Sequence, residues 1–166
     1  MMGAVLAGAF PIIAVDVLEP KLELAQSLGA SHTLHATQAD PVGVIKEMTG
    51  GGALYTFEAV GSPTVLAQAY AATRRGGTCV SVGLPHPEQR LEIQAVSLVA
   101  EEKTLKGSYM GSAVPRRDLP RLLELYRAGK LPLERLISRE VSLAQINEAF
   151  DALAAGRVVR QVVRFV

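Results

Sequence analysis

Short apolar runs rich in β-branched residues alternate with helical patterns along the first half of the chain. Each run is followed by a proline that opens a helical pattern and by a glycine that ends it, as is typical of the first and last positions of helices. The predicted strands are 11–16, 31–35 and 54–58, and the helices that follow them end at Gly29, Gly50 and Gly76.

Two further apolar runs, 78–82 and 103–108, have the length and composition of strands. Strands that alternate with helices of about ten residues are typical of βαβ units. The pattern therefore predicts an α/β fold with a parallel sheet.

The pattern changes after Gly111. Leu119, Leu122, Leu123 and Tyr126 form a helical stripe. Ser142 and Gln145 have capping-box spacing ahead of a second stripe that Gly156 ends, and residues 160–165 have the pattern of a closing strand. These residues predict a small C-terminal α/β segment.

Composition excludes several classes of protein. The 166 residues are 49% apolar and 20% charged, which is typical of one globular domain with or without a small appendage. A net charge of +1 gives no electrostatic reason to expect a nucleic-acid partner.

The segment 1–15 is uncharged, but it lacks a basic start and is too short to span a bilayer, so it is interpreted as core and no membrane partner is expected. Cys79 is the only cysteine, which excludes an internal disulfide and favours a reducing compartment, the cytoplasm.

Several stretches together resemble the medium-chain, zinc-type alcohol dehydrogenases. Each stretch alone is common, whereas their order and spacing are specific, and the likeness runs nearly from end to end. They are residues 14–21, 24–30, 56–61, 76–84, 105–111 and 146–160.

The resemblance implies a Rossmann-like, doubly wound parallel sheet over residues 1–110. In the family this sheet begins with a strand and a Gly-x-Gly-x-x-Gly loop. Neither is in this sequence, and residues 1–9 look like the helix that follows that loop. Residues 111–166 match the segment that in family members packs on the catalytic domain. That domain, which holds the zinc, is also not in the sequence, so the chain is expected to be inactive alone.

Asp16 ends the first predicted strand, about where the second Rossmann strand of the family ends. A carboxylate there accepts hydrogen bonds from the adenosine ribose hydroxyls and repels a 2′-phosphate. The resemblance therefore implies NAD, rather than NADP, as the cofactor. Lys21 matches a family lysine that reaches the same ribose.

Other coenzyme contacts are implied at the ends of later strands, where glycine lets the backbone approach a dinucleotide. By resemblance, the carbonyls of Val82 and Ser108 and the amide of Met110 would hold the nicotinamide carboxamide. Glu58 is interpreted as support for the coenzyme pocket. The predicted contact residues here are Val60, Gly61, Val82, Gly83, Leu84, Ser108 and Met110.

Arg160 matches the arginine that family members bring onto the coenzyme pyrophosphate. A guanidinium suits a diphosphate because it binds two oxygens at once. No catalytic residue and no metal ligand is predicted, because His32, His35 and His86 are dispersed and none has a partner at metal-ligand spacing.

The parent activity implied by the resemblance is hydride transfer between a small alcohol or aldehyde and NAD. Three alternatives stay open: a zinc-free quinone or enoyl reductase of the same superfamily, a methyltransferase, and a truncated fragment without activity. A reductase of that kind would prefer NADPH and a small or basic residue in place of Asp16.

A sheet without its first strand leaves two edges facing each other, at the strands 12–16 and 54–58. The chain is expected to close this gap, to recruit residues 5–10 as a strand, or to pair with another copy. Family members also join coenzyme domains edge to edge through the strand that is 104–109 here. A homo-oligomer is therefore predicted.

Overall fold

The computed structural model describes residues 1–165, which divide into two compact units. The first unit, Met1–Ala113, contains α1 (Met2–Leu6), β1 (Ile13–Asp16), α2 (Glu19–Ser27), β2 (His32–His35), α3 (Pro41–Thr49), β3 (Ala53–Glu58), α4 (Pro63–Ala72), β4 (Thr73–Ser81), α5 (Ala95–Ala100) and β5 (Thr104–Gly107). The second unit begins at Val114 and contains α6 (Pro115–Arg127), β6 (Ile137–Ser142), α7 (Ile146–Ala154) and β7 (Arg160–Arg164).

All strand pairs in the described residues are parallel. β1 pairs with β2, β4 lies between β3 and β5, and β6 pairs with β7. Helices connect successive parallel strands, as such connections require. The predicted α/β fold with parallel sheets is confirmed. The roles assigned to residues 1–110 and 111–166 stay predictions.

Side chains and prolines at the helix starts explain why the elements begin where they do. The carboxylate of Asp40 accepts hydrogen bonds from the amides of Val42 and Gly43, both at 3.0 Å, and Pro41 occupies the first turn. Asp40 thus satisfies two amides that have no partner inside the helix, while the proline has no amide to satisfy. Gly50 ends α3 in the left-handed conformation, with φ of 66°.

The core of the first unit forms around β4. Cys79 is fully buried there, and this burial raises the pKa of its thiol. The hydroxyl of Thr73, also buried, lies 2.7 Å from that of Thr56 and donates to the carbonyl of Ala69 at 2.8 Å. The single cysteine is therefore a core residue of the central strand. The buried apolar residues of this unit are Leu22, Ala30, Ile45, Tyr70, Ala72 and Cys79.

One lysine is buried next to the core. The Nζ of Lys103 lies 2.7 Å from the carboxylate of Glu101, donates to the carbonyl of Tyr70 at 3.3 Å, and stands 4.9 Å from the centroid of the Tyr70 ring. A buried ammonium requires such partners. The contacts fix the turn between α5 and β5 against α4.

Three details differ from the sequence-based expectations. The helix that was predicted to end at Gly76 ends at Ala72, and Thr73 already begins β4. The strand β6 and the short helix α5 were not predicted. Val5 lies in α1, so residues 5–10 do not supply a replacement strand.

The gap between the two sheets of the first unit stays open. β1 is paired only with β2, and β3 only with β4, so one edge of each strand has no strand beside it within residues 1–165. Tyr55 and Phe57 are exposed on β3. Of the three outcomes expected for this gap, two do not occur in the single chain, and pairing with another copy stays a prediction.

In the second unit the predicted capping box is confirmed. The amide of Ser142 donates to the side-chain oxygen of Gln145 at 3.0 Å, and the box opens a short 3₁₀ turn that leads into α7. Arg164 on β7 pairs with Glu140 on β6.

No helix within residues 1–165 is long and apolar enough to cross a membrane.

Candidate functional site

A buried carboxylate organises the turn that follows β3. Glu58, which is 2% exposed, ends this strand. Its Oε1 accepts hydrogen bonds from the amides of Val60 at 2.6 Å, Gly61 at 2.6 Å and Ser62 at 3.3 Å. Three successive amides therefore converge on one carboxylate oxygen, which fixes the path of the turn into α4.

The same residue also fixes the turn that follows β4. The backbone carbonyl of Glu58 accepts hydrogen bonds from the amides of Val82 at 2.8 Å and Gly83 at 3.1 Å. A Cβ on Gly61 would stand 2.8 Å from the carbonyl oxygen of Leu84, and Gly61 has φ of 84°. The two turns thus touch through their backbones, and a side chain at Gly61 would obstruct the contact.

The chain after β5 continues the same edge of the sheet. The amide of Ser108 donates to the carbonyl of Ser81 at 2.9 Å. Met110, Gly111 and Ser112 then follow with φ of 47°, 69° and 53°. A left-handed conformation costs a residue other than glycine about 1–3 kcal/mol, and such residues cluster at functional sites. The turn that contains Met110 is therefore a candidate ligand contact.

Exposed apolar side chains line the carboxyl ends of β3, β4 and β5. Val60, Leu84 and Met110 are each more than three-quarters exposed, and Val82 is partly exposed. Open α/β sheets bind ligands at this end of their strands. The structure brings Val60, Gly61, Val82, Gly83, Leu84 and Ser108 together at the ends of adjacent strands, and their role in coenzyme binding stays a prediction.

A small pocket of about 110 Å³ lies behind these turns. It is too small to enclose a dinucleotide, since ligand pockets usually exceed about 300 Å³. Its lining residues are Glu58, Gly61, Ser62, Pro63, Leu66, Ser81, Pro85, Gln89 and Leu91.

Asp16 lies at the carboxyl end of β1 and is partly buried. Its Oδ1 accepts hydrogen bonds from the amides of Val17 at 2.8 Å and Leu18 at 3.0 Å. These contacts fix the carboxylate at the start of α2. Lys21 lies in the first turn of that helix and is partly buried.

Arg160 begins β7 in the second unit and is exposed. Its Nη1 donates to the carbonyl of Val159 at 2.8 Å. This local bond neither supports nor opposes the predicted contact with a pyrophosphate, which stays a prediction.

The described residues do not fit a zinc ion. Among residues 1–165 no three His, Cys, Asp or Glu side chains lie close enough together to hold a metal. The Nδ1 of His32 lies 3.0 Å from the hydroxyl of Ser31, and that of His35 lies 3.0 Å from the hydroxyl of Thr37. No reaction step through a metal is therefore assigned to these residues.

Comparison with known proteins identifies the family. The family model described as "Zinc-binding dehydrogenase" matches residues 1–128. The chain belongs to this family. The resemblance that the sequence motifs indicated is thereby confirmed, and the matched part is the coenzyme-binding part of these dehydrogenases.

Two similar proteins illustrate the match. Geraniol dehydrogenase of Castellaniella defragrans is 39% identical, and the alignment covers 99% of this chain and 44% of that protein. The crystal structure of benzyl alcohol dehydrogenase from Acinetobacter calcoaceticus is 34% identical with a TM-score of 0.96, covering 99% of this chain and 45% of the other. The chain thus spans less than half the length of these relatives.

A third relative bears on the coenzyme. A putative zinc-binding dehydrogenase from Sinorhizobium meliloti, solved bound to NADP, is 27% identical with a TM-score of 0.84, covering 98% of this chain and 47% of the other. A protein with a closely similar fold thus binds NADP, so the fold alone does not decide between NAD and NADP.

Proposed function

We propose that this chain is the coenzyme-binding part of an NAD-dependent alcohol dehydrogenase that transfers a hydride between a small alcohol or aldehyde and NAD. The observation that carries the proposal is the contact between two glycine turns at the carboxyl ends of β3 and β4, where Gly61 and Gly83 meet. Turns of this kind let a dinucleotide lie against backbone atoms.

Asp16 supports a preference for NAD. Its Oδ1 is occupied by two amides, whereas Oδ2 accepts no hydrogen bond within residues 1–165 and can accept one from a ribose hydroxyl. A 2′-phosphate at the same place would face a carboxylate of like charge. Lys21, in the first turn of α2, would contact the same ribose.

The later strand ends would hold the nicotinamide. The carbonyls of Val82 and Ser108 and the amide of Met110 are the proposed partners of its carboxamide. The exposed side chains of Val60 and Leu84 offer apolar surface for the ring. Arg160 would bind the pyrophosphate through two guanidinium donors.

The bound coenzyme supplies the hydride chemistry, and this chain's residues bind and orient it. Because no group among residues 1–165 fits a metal, we expect the chain alone to hold no stoichiometric zinc and to oxidise no alcohol. Metal analysis that found one tightly bound zinc per chain would contradict this.

The buried thiol of Cys79 fits a cytoplasmic protein.

We also propose that the chain self-associates. β5, whose four residues are all exposed, has one unpaired edge within residues 1–165, and so do the facing strands β1 and β3. Such edges are ready templates for another copy.

Coenzyme binding by the purified chain tests the proposed function directly. Titration with NADH, followed by nicotinamide fluorescence, should give saturable binding that ADP-ribose displaces. NADPH should bind at least tenfold more weakly, which corresponds to about 1.4 kcal/mol. Absence of saturable binding of both NADH and ADP-ribose at millimolar concentrations would refute the proposal.

A further inference from the structure

One side chain connects the two turns at the centre of the candidate site. The carboxylate of Glu58 binds the amides of Val60, Gly61 and Ser62, and its backbone carbonyl binds those of Val82 and Gly83. Glu58 therefore makes five hydrogen bonds to backbone amides, three through its side chain and two through its carbonyl.

A purely structural role does not require a carboxylate at this position. Burying an ionised group is unfavourable unless it is hydrogen-bonded, and an apolar residue would fill the end of a strand without that requirement. The three amides that bind Glu58 belong to a turn that would otherwise present them to water or to a ligand. The carboxylate instead draws them inward, which orients the turn.

The position of this turn determines that of the next one. A Cβ on Gly83 would stand 2.9 Å from Oε2 of Glu58 and 2.1 Å from the nitrogen of Gly61. The carboxylate of Glu58 thus contacts the backbone of the first turn, and the two turns contact each other through the backbones of Gly61 and Gly83. A shift of the carboxylate would move Val82, whose carbonyl is a proposed partner of the nicotinamide.

The adenosine end of the proposed site does not depend on these bonds. The carboxylate of Asp16 is fixed by the amides of Val17 and Leu18, which directly follow it in the chain. Asp16 ends β1, which pairs with β2, whereas Glu58 ends β3, which pairs with β4. A defect at Glu58 should therefore change binding of the nicotinamide while it leaves binding of ADP-ribose unchanged.

We infer that Glu58 is the positioning residue for the nicotinamide end of the coenzyme: its buried carboxylate orders the turns 60–62 and 82–84 before the coenzyme binds. This inference rests on the proposed function. The atom that positions the first turn is the acceptor oxygen Oε1, because three amides donate to it.

Binding of NADH and ADP-ribose by variants of the full chain tests the inference. Glu58→Ala should weaken NADH at least tenfold and leave ADP-ribose within twofold of the wild type. Glu58→Gln keeps an acceptor oxygen and should restore most of the NADH affinity. In the NMR spectrum of the unliganded chain, Glu58→Ala should remove hydrogen-exchange protection from the amides of Val60 and Gly61, and Glu58→Gln should keep it.

Two controls separate positioning from loss of stability. Asp40→Ala removes the cap of α3 and should lower Tm without changing the ratio of the NADH and ADP-ribose affinities. If Glu58→Ala does not fold, Glu58→Asp carries the test, because its shorter side chain cannot reach all three amides from the same backbone position. It should weaken NADH severalfold and leave ADP-ribose unchanged.

Several results would overturn the inference. Wild-type NADH affinity in both Glu58→Ala and Glu58→Asp would leave the proposed function standing and refute the role of Glu58. Equal losses of NADH and ADP-ribose would show a merely structural role. Equal losses of NADH affinity in Glu58→Gln and Glu58→Ala would show that the acceptor oxygen does not position the turn. Failure of the wild-type chain to bind either ligand would refute the proposed function and the inference with it.

Discussion

A Cβ placed on Gly83 would stand 2.1 Å from the backbone nitrogen of Gly61, closer than real Cβ atoms approach a backbone atom. The two glycines lie in different turns, and each leaves space for the other's backbone. The two nearest atoms to such a Cβ belong to the backbone of Gly61, which cannot turn aside as a side chain can. The turns must therefore separate if Gly83 is replaced.

Gly83→Ala should accordingly destabilise the fold and weaken coenzyme binding. Overpacking of this kind costs about 1–3 kcal/mol of unfolding free energy. We expect a lower urea midpoint and at least a tenfold weaker affinity for NADH. Gly107→Ala is the matched control, since a Cβ there meets nothing within 4 Å at the end of the neighbouring strand. Equal behaviour of the two variants would show that the turns can separate without loss.

Asp16 should determine the choice between NAD and NADP. Asp16→Asn keeps an oxygen that can accept the amides of Val17 and Leu18, but it removes the negative charge. We expect the ratio of NADPH and NADH affinities to shift toward NADPH by at least tenfold, about 1.4 kcal/mol.

Asp16→Ala separates the charge from the loop contacts. It should shift the ratio similarly and also weaken NADH, because the two amide contacts are lost with the side chain. Fluorescence titration with both coenzymes measures the ratio. Equal binding of NADPH and NADH by the unmutated chain would contradict the assigned preference.

The elements that the sequence predicts best are those set by local chemistry. Asp40, Pro41 and Gly50 lie within one helix and its caps, so their roles can be read from adjacent positions. The same holds for the capping box of Ser142 and Gln145. Proline and capping side chains act on amides a few residues away, which is why sequence spacing alone locates these helix ends.

The parts that could not be predicted depend on contacts between distant positions. β4 begins at Thr73, which pairs with Ala53 across the sheet and whose hydroxyl lies near that of Thr56, and no local pattern indicates either contact. β6 contains the polar run Ser138, Arg139 and Glu140, which interrupts the apolar pattern of a strand. Glu58 was predicted only as support, because its amide partners depend on the path of two turns.

Asp118 should titrate well below an ordinary aspartate. Its carboxylate accepts a hydrogen bond from Arg117 at 2.6 Å and one from the amide of Val114 at 2.7 Å. These two contacts lower the pKa of Asp118 from 3.8 to about 2, and the contact with Arg117 has the larger effect. The amide contact ties the residue before α6 to the first turn of the helix.

Because this pKa is lower in the folded chain, the contact stabilises the fold above about pH 4 and is lost as the pH falls toward 2. An NMR titration of the Asp118 carboxyl carbon measures this directly. Arg117→Gln should raise its pKa, whereas Arg116→Gln should leave it unchanged. A midpoint near 4 in the wild type would show that the contacts do not persist in solution.

The open edge of β3 should mediate self-association. The strand has no neighbour on the side away from β4 within residues 1–165, and Tyr55 and Phe57 project from the same face of it. Unpaired edges with exposed apolar side chains favour pairing with another copy, and natural proteins oppose this by placing lysine there.

Phe57→Lys should therefore weaken association at least tenfold in sedimentation equilibrium, which corresponds to about 1.4 kcal/mol. Phe150→Lys is the matched control, because Phe150 on α7 is 61% exposed and Phe57 is 63% exposed. Hydrogen exchange should show protection of the β3 amides that increases with protein concentration in the wild type and is absent in Phe57→Lys. A wild-type chain that stays monomeric at high concentration, with β3 amides that exchange freely, would show that water satisfies this edge well enough without a partner strand.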